Sequence, residues 1–473
     1  MLRDAVRLAG LLLLTPASGL AAPLAPCPAG AWPEGAECRH VRVPEDRTIQ
    51  GGRMLDLFLV RLRSTGPESA QGAVFFLAGG PGEAASESAA DLPGALAVLR
   101  SRRDLVFVDQ RGTGRSHALT CPGPFRSRVE FGELSADDVR ACREVLERRA
   151  DLRRYTTWDA VADLETVRQA LGYEKIDLFA ASYGTQVAQA YLRRHEERVR
   201  TAVFVGALPL APELVLFDSR DAERALRLLL QDCAAEPACA AAFPRLSEET
   251  AEVLKRLEQS PVRVKVADPA GGDPREILLD RQTFARVLRT RLYSAGAAAR
   301  VPLSLHRAFT GDYASMGRAA VAIAHAQKRH ESLGMFLTVI CSELMGFVGE
   351  ASIRRMAEGT LFGPETTLGW LQNCREWPRA DPPPDFAAPV RSDVPVLLLS
   401  GRLDPVTPPH WGEQVAVFLP RARQIVFAAS SHFPEGDCAS GLVAQFVEQA
   451  STARLNARCA ESEVRPPFLL PEG

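Results

Sequence analysis

The sequence has almost no net charge and no long apolar run. Its 56 lysine and arginine residues nearly balance 58 aspartate and glutamate residues, which gives a formal net charge of -2 and a pI of about 6.5. Because affinity for nucleic acid depends on excess positive charge, we expect no nucleic-acid partner. Outside the N-terminus, no apolar stretch approaches the ~20 residues that span a bilayer. Internal repeats and low-complexity tracts are also absent, so the chain has the composition of a globular protein.

The N-terminus has the order of a secretory signal peptide. Arg3 and Arg7 precede an apolar run from Leu8 to Leu14, and small residues follow up to Ala21. Because this run is too short to cross a membrane, we predict a signal peptide over residues 1–21 with cleavage near Ala21. The mature protein would then be secreted or periplasmic, without a stable membrane anchor.

The ten cysteines fit an exported protein. None of them shows the C-x-x-C spacing of zinc and redox sites, and we find no ligand cluster that calls for a metal or organic cofactor. An oxidising compartment permits disulfides, although their connectivity does not follow from sequence. Pairing of consecutive cysteines would close short, local loops. We therefore hypothesise five disulfides: Cys27–Cys38, Cys121–Cys142, Cys233–Cys239, Cys341–Cys374 and Cys438–Cys459.

Short apolar runs alternate with helical patterns in the first and last parts of the chain. This alternation predicts an α/β protein, with a mostly parallel sheet covered by helices on both faces. The segment 212–385 instead shows one helical pattern after another, with few strand signals, and it ends in the proline-rich stretch Asp381–Asp385. We predict an α/β-hydrolase core formed by residues 22–211 and 386–473, with a helical lid over residues 212–385.

One serine lies in the turn between a predicted strand and a predicted helix. The sequence Ala180-Ala181-Ser182-Tyr183-Gly184 follows the apolar run Ile176–Phe179 and precedes the helical pattern Gln186–Arg194. Such a position is typical of a nucleophile elbow, in which small flanking residues let the serine stand exposed above the sheet. We therefore predict that Ser182 is a nucleophile.

A catalytic serine needs a base, and the base needs an orienting carboxylate. In this architecture the acid and then the histidine follow the serine along the chain, each in a loop after a strand. Asp404 follows the strand pattern 394–399, and His432 follows the strand pattern 424–427. The other seven histidines lie outside such loops. We therefore predict a triad of Ser182, Asp404 and His432.

Two backbone amides should bind the oxyanion that forms during acyl transfer. One is the amide of Tyr183, directly after the nucleophile. The other belongs to the glycine loop that follows the predicted strand Ala73–Leu77, and we assign it to Gly80.

Six motifs follow one another in a characteristic order over nearly the whole mature chain. They are A-G-G-P-G (Ala78–Gly82), D-Q-R-G-T-G-R-S (Asp109–Ser116), S-Y-G-T (Ser182–Thr185), C-S-E (Cys341–Glu343), G-R-L-D-P-V-T-P (Gly401–Pro408) and R-P-P-F (Arg465–Phe468). With them the chain resembles the proline-iminopeptidase and tripeptidyl-aminopeptidase family of secreted serine peptidases. The resemblance implies an α/β-hydrolase fold and an exopeptidase that works through an acyl-enzyme.

The same resemblance implies that Glu343 contacts the α-amino group of the substrate. The alternative interpretation is that Glu343 is a solvated acidic residue on a helix. Three positions depart from the family pattern: Ala78 replaces a frequent histidine, Phe433 replaces a frequent glycine, and Leu344 replaces an acid. These departures leave the triad unchanged but put the substrate preference in doubt.

The sequence thus predicts a secreted serine aminopeptidase that acts on short peptides with a free N-terminus. Two alternatives remain open at this point. The first is an esterase or amidase with the same mechanism and a small non-peptide substrate. The second is a non-catalytic binding protein on a hydrolase scaffold, against which the complete set of serine, acid and histidine argues. The side-chain preference and the oligomeric state do not follow from the sequence.

Overall fold

The computed structural model describes residues 24–471 except 29–31, 67–71, 122–133, 269–270, 272 and 331. The predicted signal peptide, residues 1–21, lies outside the described residues. The described chain forms these strands: β1 (Ala25–Pro26), β2 (Ala36–Pro44), β3 (Met54–Leu62), β4 (Ala73–Leu77), β5 (Asp104–Val108), β6 (Ile176–Ala181), β7 (Val199–Val205), β8 (Val262–Val266), β9 (Arg275–Leu279), β10 (Val396–Gly401) and β11 (Ala422–Phe427).

Nine of these strands form one sheet in the order β1-β2-β3-β5-β4-β6-β7-β10-β11. The six strands from β5 to β11 in this order pair in parallel, whereas β1, β2 and β3 pair antiparallel at one side. Strands β4, β5 and β6 are buried over their whole length, as expected for a parallel sheet covered on both faces. The predicted α/β-hydrolase fold is confirmed.

Each face of the sheet packs against its own group of helices. Side chains alternate between the faces, so Phe75 of β4 joins the apolar cluster on one side while Val74 and Phe76 join the cluster on the other. The core helices are Ala85–Asp91, Gly94–Leu99, Ala136–Glu147, Thr157–Leu171, Tyr183–His195, Pro409–Ala416, Gly436–Gln449 and Arg458–Glu461, with short 3₁₀ turns at Leu152–Arg154 and Glu196–Arg198.

Between β7 and β10 the chain is mainly helical. Its helices are Asp218–Ala235, Pro237–Ala242, Leu246–Gln259, Arg281–Arg291, Ala295–Ala298, Val301–Phe309, Ala314–His330, Leu333–Val339, Glu350–Ala357 and Glu365–Glu376, with 3₁₀ turns at Pro212–Phe217 and Met345–Phe347. Many of them share an apolar cluster separate from those on the sheet faces. We call this segment, residues 212–385, the lid.

The lid also contains a two-stranded antiparallel hairpin of β8 and β9, which the sequence analysis missed. Its signal was present, because Val262, Val264 and Val266 alternate with Arg263 and Lys265 at the period of a strand. The helical pattern of the surrounding segments led us to expect mainly helices here.

The lid helix that begins at Leu333 changes its winding near its end. It is α-helical to Val339 and forms a π-helical turn over Ile340–Leu344. In the described part of the chain, no single helix is long and apolar enough to cross a membrane. Two helical segments, Leu333–Phe347 and Glu350–Ala357, are joined at a sharp bend. They reach the length and apolar composition of a membrane span only when they are counted as one segment.

All five predicted disulfides are present, and no cysteine is free. Cys341 lies in the π-helical turn, and its bond to Cys374 ties this turn to the helix Glu365–Glu376. The two cysteines of each bond are separated by 6 to 33 positions in the sequence, as consecutive pairing implies.

Candidate active site

Ser182 occupies a strained turn at the end of β6. Its φ of 52° and ψ of -122° lie in a region that residues other than glycine rarely adopt. Its amide donates to the carbonyl of Val205, at the end of the neighbouring strand β7, at 2.8 Å. A Cβ at Gly184 would collide with the carbonyl oxygen of Leu77, so the helix that starts at Tyr183 can pass β4 only with a glycine there. The turn has the geometry of a nucleophile elbow.

His432 and Asp404 lie in the loops after β11 and β10 and are hydrogen-bonded to each other. Nδ1 of His432 is 2.8 Å from Oδ2 of Asp404, and both side chains are buried. Asp404 also accepts hydrogen bonds from the amides of Val406 at 2.8 Å and Thr407 at 2.9 Å, and from the Thr407 hydroxyl at 2.5 Å.

The surroundings of Asp404 keep it ionised. Burial by itself would raise the pKa of its carboxyl group, but the adjacent His432 ring and the hydrogen bonds from Thr407 outweigh burial and hold the pKa below its usual value. A buried carboxylate hydrogen-bonded to Nδ1 fixes the orientation and tautomer of an imidazole and stabilises its protonated form.

The turn after β7 brings His432 towards Ser182. Val205 accepts the hydrogen bond of the Ser182 amide, and the next residue, Gly206, lies against the imidazole, since a Cβ there would be 3.2 Å from Cε1 of His432. The lid residue Tyr293 also contacts the imidazole. Its carbonyl accepts the His432 amide at 3.2 Å, and the two rings meet edge to face at 5.2 Å. The structure thus places all three predicted triad residues at one edge of the sheet.

The two predicted oxyanion donors lie on segments that adjoin Ser182. Tyr183 starts the helix Tyr183–His195, and the amides of a first helical turn have no partner within the helix. The glycine loop after β4 also comes close, since a Cβ at Gly79 would lie 3.3 Å from Cβ of Ser182. Gly80 follows with a φ of 98°, which favours glycine. Binding of an oxyanion by the Tyr183 and Gly80 amides stays a prediction.

Glu343 is enclosed in the protein next to Tyr183. Its side chain is 2% exposed, Oε1 accepts the Thr157 amide at 2.7 Å, and Oε2 accepts the Thr157 hydroxyl at 2.6 Å. The same hydroxyl is 2.8 Å from the hydroxyl of Tyr183. Burial raises the pKa of Glu343 to about 7, although the hydrogen bonds from Thr157 lower it in part. The interpretation of Glu343 as a solvated helix acid is therefore wrong, while its contact with a substrate stays a prediction.

The motif Asp109–Ser116 shapes the loops around the site. Asp109 is buried and accepts hydrogen bonds from the amides of Ser86 at 2.8 Å and Arg115 at 2.9 Å. Arg111 is also buried, and its guanidinium group makes a bidentate ion pair with Asp163. Because both side chains find their hydrogen-bonding partners within the protein, this motif has a structural role in holding the segment after the glycine loop.

Two threonines that the sequence analysis did not single out hold the site residues in place. The Thr407 hydroxyl donates to Asp404 and lies 3.1 Å from Nδ1 of His432, whereas Thr157 links Glu343 to Tyr183. The D-x-x-T spacing was a usable signal for Thr407, because a hydroxyl three residues after an aspartate reaches back to its carboxylate in a tight turn. No sequence signal joins Thr157 to Glu343, 186 residues further along the chain.

We expect Thr407→Val to lower kcat by about 10- to 100-fold with little change in KM. Valine keeps the shape of the side chain but removes one hydrogen bond to an ionised acceptor, which costs about 1.5–3 kcal/mol. The measurement compares both parameters with those of Thr407→Ser, which keeps the hydroxyl group and should retain most of the activity. A valine variant with the wild-type kcat would contradict this role.

The parallel sheet, the strained serine turn after β6 and the buried acid–histidine pair after β10 and β11 define a serine hydrolase of the α/β-hydrolase fold. Comparison with known protein families agrees with this assignment. Residues 72–261 match the family model described as alpha/beta hydrolase fold, and residues 360–459 match the one described as TAP-like protein. The chain therefore has the α/β-hydrolase fold, and two parts of it match these family models.

Its relatives include several peptidases. The serine protease Hip1 of Mycobacterium tuberculosis is 24% identical over 465 residues, which cover 90% of this chain and 88% of the relative. The tripeptidyl aminopeptidase of Streptomyces lividans is 29% identical over 36% of this chain and 35% of its own length. The proline iminopeptidase of Neisseria gonorrhoeae is 35% identical over 29% of this chain and 34% of its own length. The resemblance predicted from the six motifs is confirmed.

Proposed function

We propose that this protein is an exported aminopeptidase that releases residues from the free N-terminus of short peptides through an acyl-enzyme. The hydrogen bond between His432 and Asp404, held beside the Ser182 turn, carries the proposal, because it is the arrangement that activates a serine. The names of the relatives support a peptide substrate. The contact of the lid residue Tyr293 with His432 supports a small substrate.

In the proposed reaction, Oγ of Ser182 attacks the carbonyl carbon of the scissile peptide bond, and Nε2 of His432 takes the hydroxyl proton. Asp404 keeps the other proton on Nδ1 and stabilises the imidazolium. The Tyr183 and Gly80 amides would hold the oxyanion. His432 then protonates the leaving amine, the C–N bond breaks, and an ester on Ser182 remains. A water molecule, deprotonated by His432, hydrolyses this ester and restores the serine.

Export is part of the proposal. Five disulfides with no free cysteine are typical of proteins that mature in an oxidising compartment. The predicted signal peptide over residues 1–21 supports the same location. N-terminal sequencing of the mature protein from a culture supernatant or periplasmic fraction tests it.

We expect kcat/KM for unblocked aminoacyl or peptidyl anilides to exceed that for their N-acetyl counterparts by at least about 30-fold. An exopeptidase recognises the α-ammonium group, and truncating one partner of a desolvated ion pair costs about 2–5 kcal/mol. The measurement compares each anilide with its N-acetyl form, and turnover of a simple acetate ester checks that the serine is reactive. Equal turnover of free and blocked anilides would contradict the aminopeptidase, and hydrolysis of the ester only would favour the esterase alternative.

A further inference from the structure

The closing motif R-P-P-F (Arg465–Phe468) lies in a segment that has no role in the reaction described so far. We call residues 463–469 the C-terminal strap. It contains no helix or strand, and Pro466 and Pro467 fix two of its φ angles. The strap starts beside the loop that carries His432 and ends on the lid. It therefore links two parts of the candidate site that are far apart in the sequence.

The strap is anchored to the lid at three points. The ring of Phe468 is buried in the apolar cluster of the lid. The amide of Leu469 donates to the carbonyl of Ala299 at 3.0 Å. Arg465 forms an ion pair with Glu236, and its guanidinium group also lies over the Phe468 ring. These contacts fix the path of the strap across the lid.

At its other end the strap supplies Glu463 to the loop of residues 428–433, which carries His432. Oε2 of Glu463 accepts the amide of Ala429 at 2.8 Å, and Oε1 accepts the hydroxyl of Ser430 at 2.6 Å. Ala429 and Ser430 are only 6% and 5% exposed, so bulk water is a poor substitute for the carboxylate. One side chain thus satisfies two buried donors within three positions of the predicted base.

The supports of this loop come from three different segments of the chain. Nε of Arg402, which directly follows β10, donates to the carbonyl of Ala428 at 2.7 Å. The carbonyl of the lid residue Tyr293 accepts the amide of His432 at 3.2 Å. Glu463 acts on residues between these two points, and its hydrogen bonds are of the stronger, charge-assisted kind. The strap therefore holds the middle of the loop.

We propose that Glu463 is a positioning residue for the catalytic base and that it acts through the Ala429 amide and the Ser430 hydroxyl. This inference rests on the proposed reaction, in which His432 is the base, and deepens it. Nε2 of His432 has to come within hydrogen-bond distance of the Ser182 hydroxyl. A displacement of about 1 Å can lower a rate by about 100-fold. Glu463 keeps the base within reach of the serine by fixing the loop.

The test compares Glu463→Met with Glu463→Gln on a substrate that the wild-type enzyme hydrolyses. Methionine keeps the length of the side chain but has no oxygen acceptor, so we expect kcat to fall by about 10- to 100-fold with little change in KM. Glutamine should keep most of the activity, because its carbonyl can accept the Ala429 amide while its NH₂ group donates to the Ser430 oxygen. Glu461→Met, at an exposed glutamate two positions earlier, is the matched control and should retain the wild-type kcat.

Labelling with a fluorophosphonate separates positioning from folding. Glu463→Met should label Ser182 to the same final extent as the wild type but more slowly, because the base that activates the serine is displaced. Ser430→Ala alone should lower kcat by a smaller factor. In the Glu463→Met background it should cause no further loss, since the hydroxyl has already lost its acceptor.

A Glu463→Met enzyme with the wild-type kcat would overturn the proposal. So would a lower final extent of labelling with an unchanged kcat per labelled site, which indicates a purely structural role. Additive losses from Glu463→Met and Ser430→Ala would show that Glu463 does not act through this loop. A wild-type enzyme that is not labelled on Ser182, or a His432→Ala enzyme with the wild-type kcat, fails the proposed reaction before any Glu463 variant is compared.

Discussion

Ser182→Ala should reduce kcat by about 10⁴- to 10⁶-fold on every substrate that the wild-type enzyme hydrolyses. Alanine keeps the Cβ, so the strained backbone at φ 52° is equally tolerated and only the attacking oxygen is lost. The fold and the hydrogen bond between His432 and Asp404 should remain, because the Ser182 amide, not its side chain, bonds to Val205. Steady-state kinetics at enzyme concentrations determined by absorbance measures the effect.

Ser101→Ala is a matched control, since Ser101 is exposed and its hydroxyl donates to the carbonyl of Val98. This variant should keep the wild-type activity. A fluorophosphonate probe should label the wild type and Ser101→Ala on the peptide that contains Ser182, and should leave Ser182→Ala unlabelled. Labelling of a different serine, such as Ser431 beside His432, would show that the nucleophile is assigned to the wrong residue.

The sheet was predictable because its strands carry strong local signals. The run Ala73–Leu77 forms β4 with the predicted bounds. The hypothesis that consecutive cysteines pair also proved right, with separations of 6 to 33 positions. The β8–β9 hairpin shows the limit of such reasoning, because its alternating pattern is short and half exposed and stands among long helices.

The catalytic loops were predictable from topology. Parallel strands end at one edge of the sheet, so residues after β6, β10 and β11 must lie near one another. The surroundings of the acidic residues were not predictable in this way. Glu343 is buried because a π-helical turn carries it against Thr157, and Glu463 reaches Ser430 because of the path of the C-terminal strap. Both depend on packing between distant segments.

The lid contacts each part of the candidate site at a different point. Tyr293 binds the amide of His432, Ser332 binds the carbonyl of Gly82, and Glu343 binds Thr157, whose hydroxyl meets Tyr183. The base, the glycine loop and the residue after the nucleophile are therefore all held in part by this one segment.

Asp404→Asn should lower kcat by about 10⁴-fold while the protein stays folded. The asparagine oxygen can still accept the amides of Val406 and Thr407, but its NH₂ group would face Nδ1 of His432 and force the proton onto Nε2. The imidazole then cannot take the proton of Ser182. Asp393→Asn, at an exposed aspartate just before β10, is the matched control and should retain full activity. An Asp404→Asn enzyme within tenfold of the wild-type kcat, with an unchanged melting temperature, would mean that Asp404 does not orient the catalytic base.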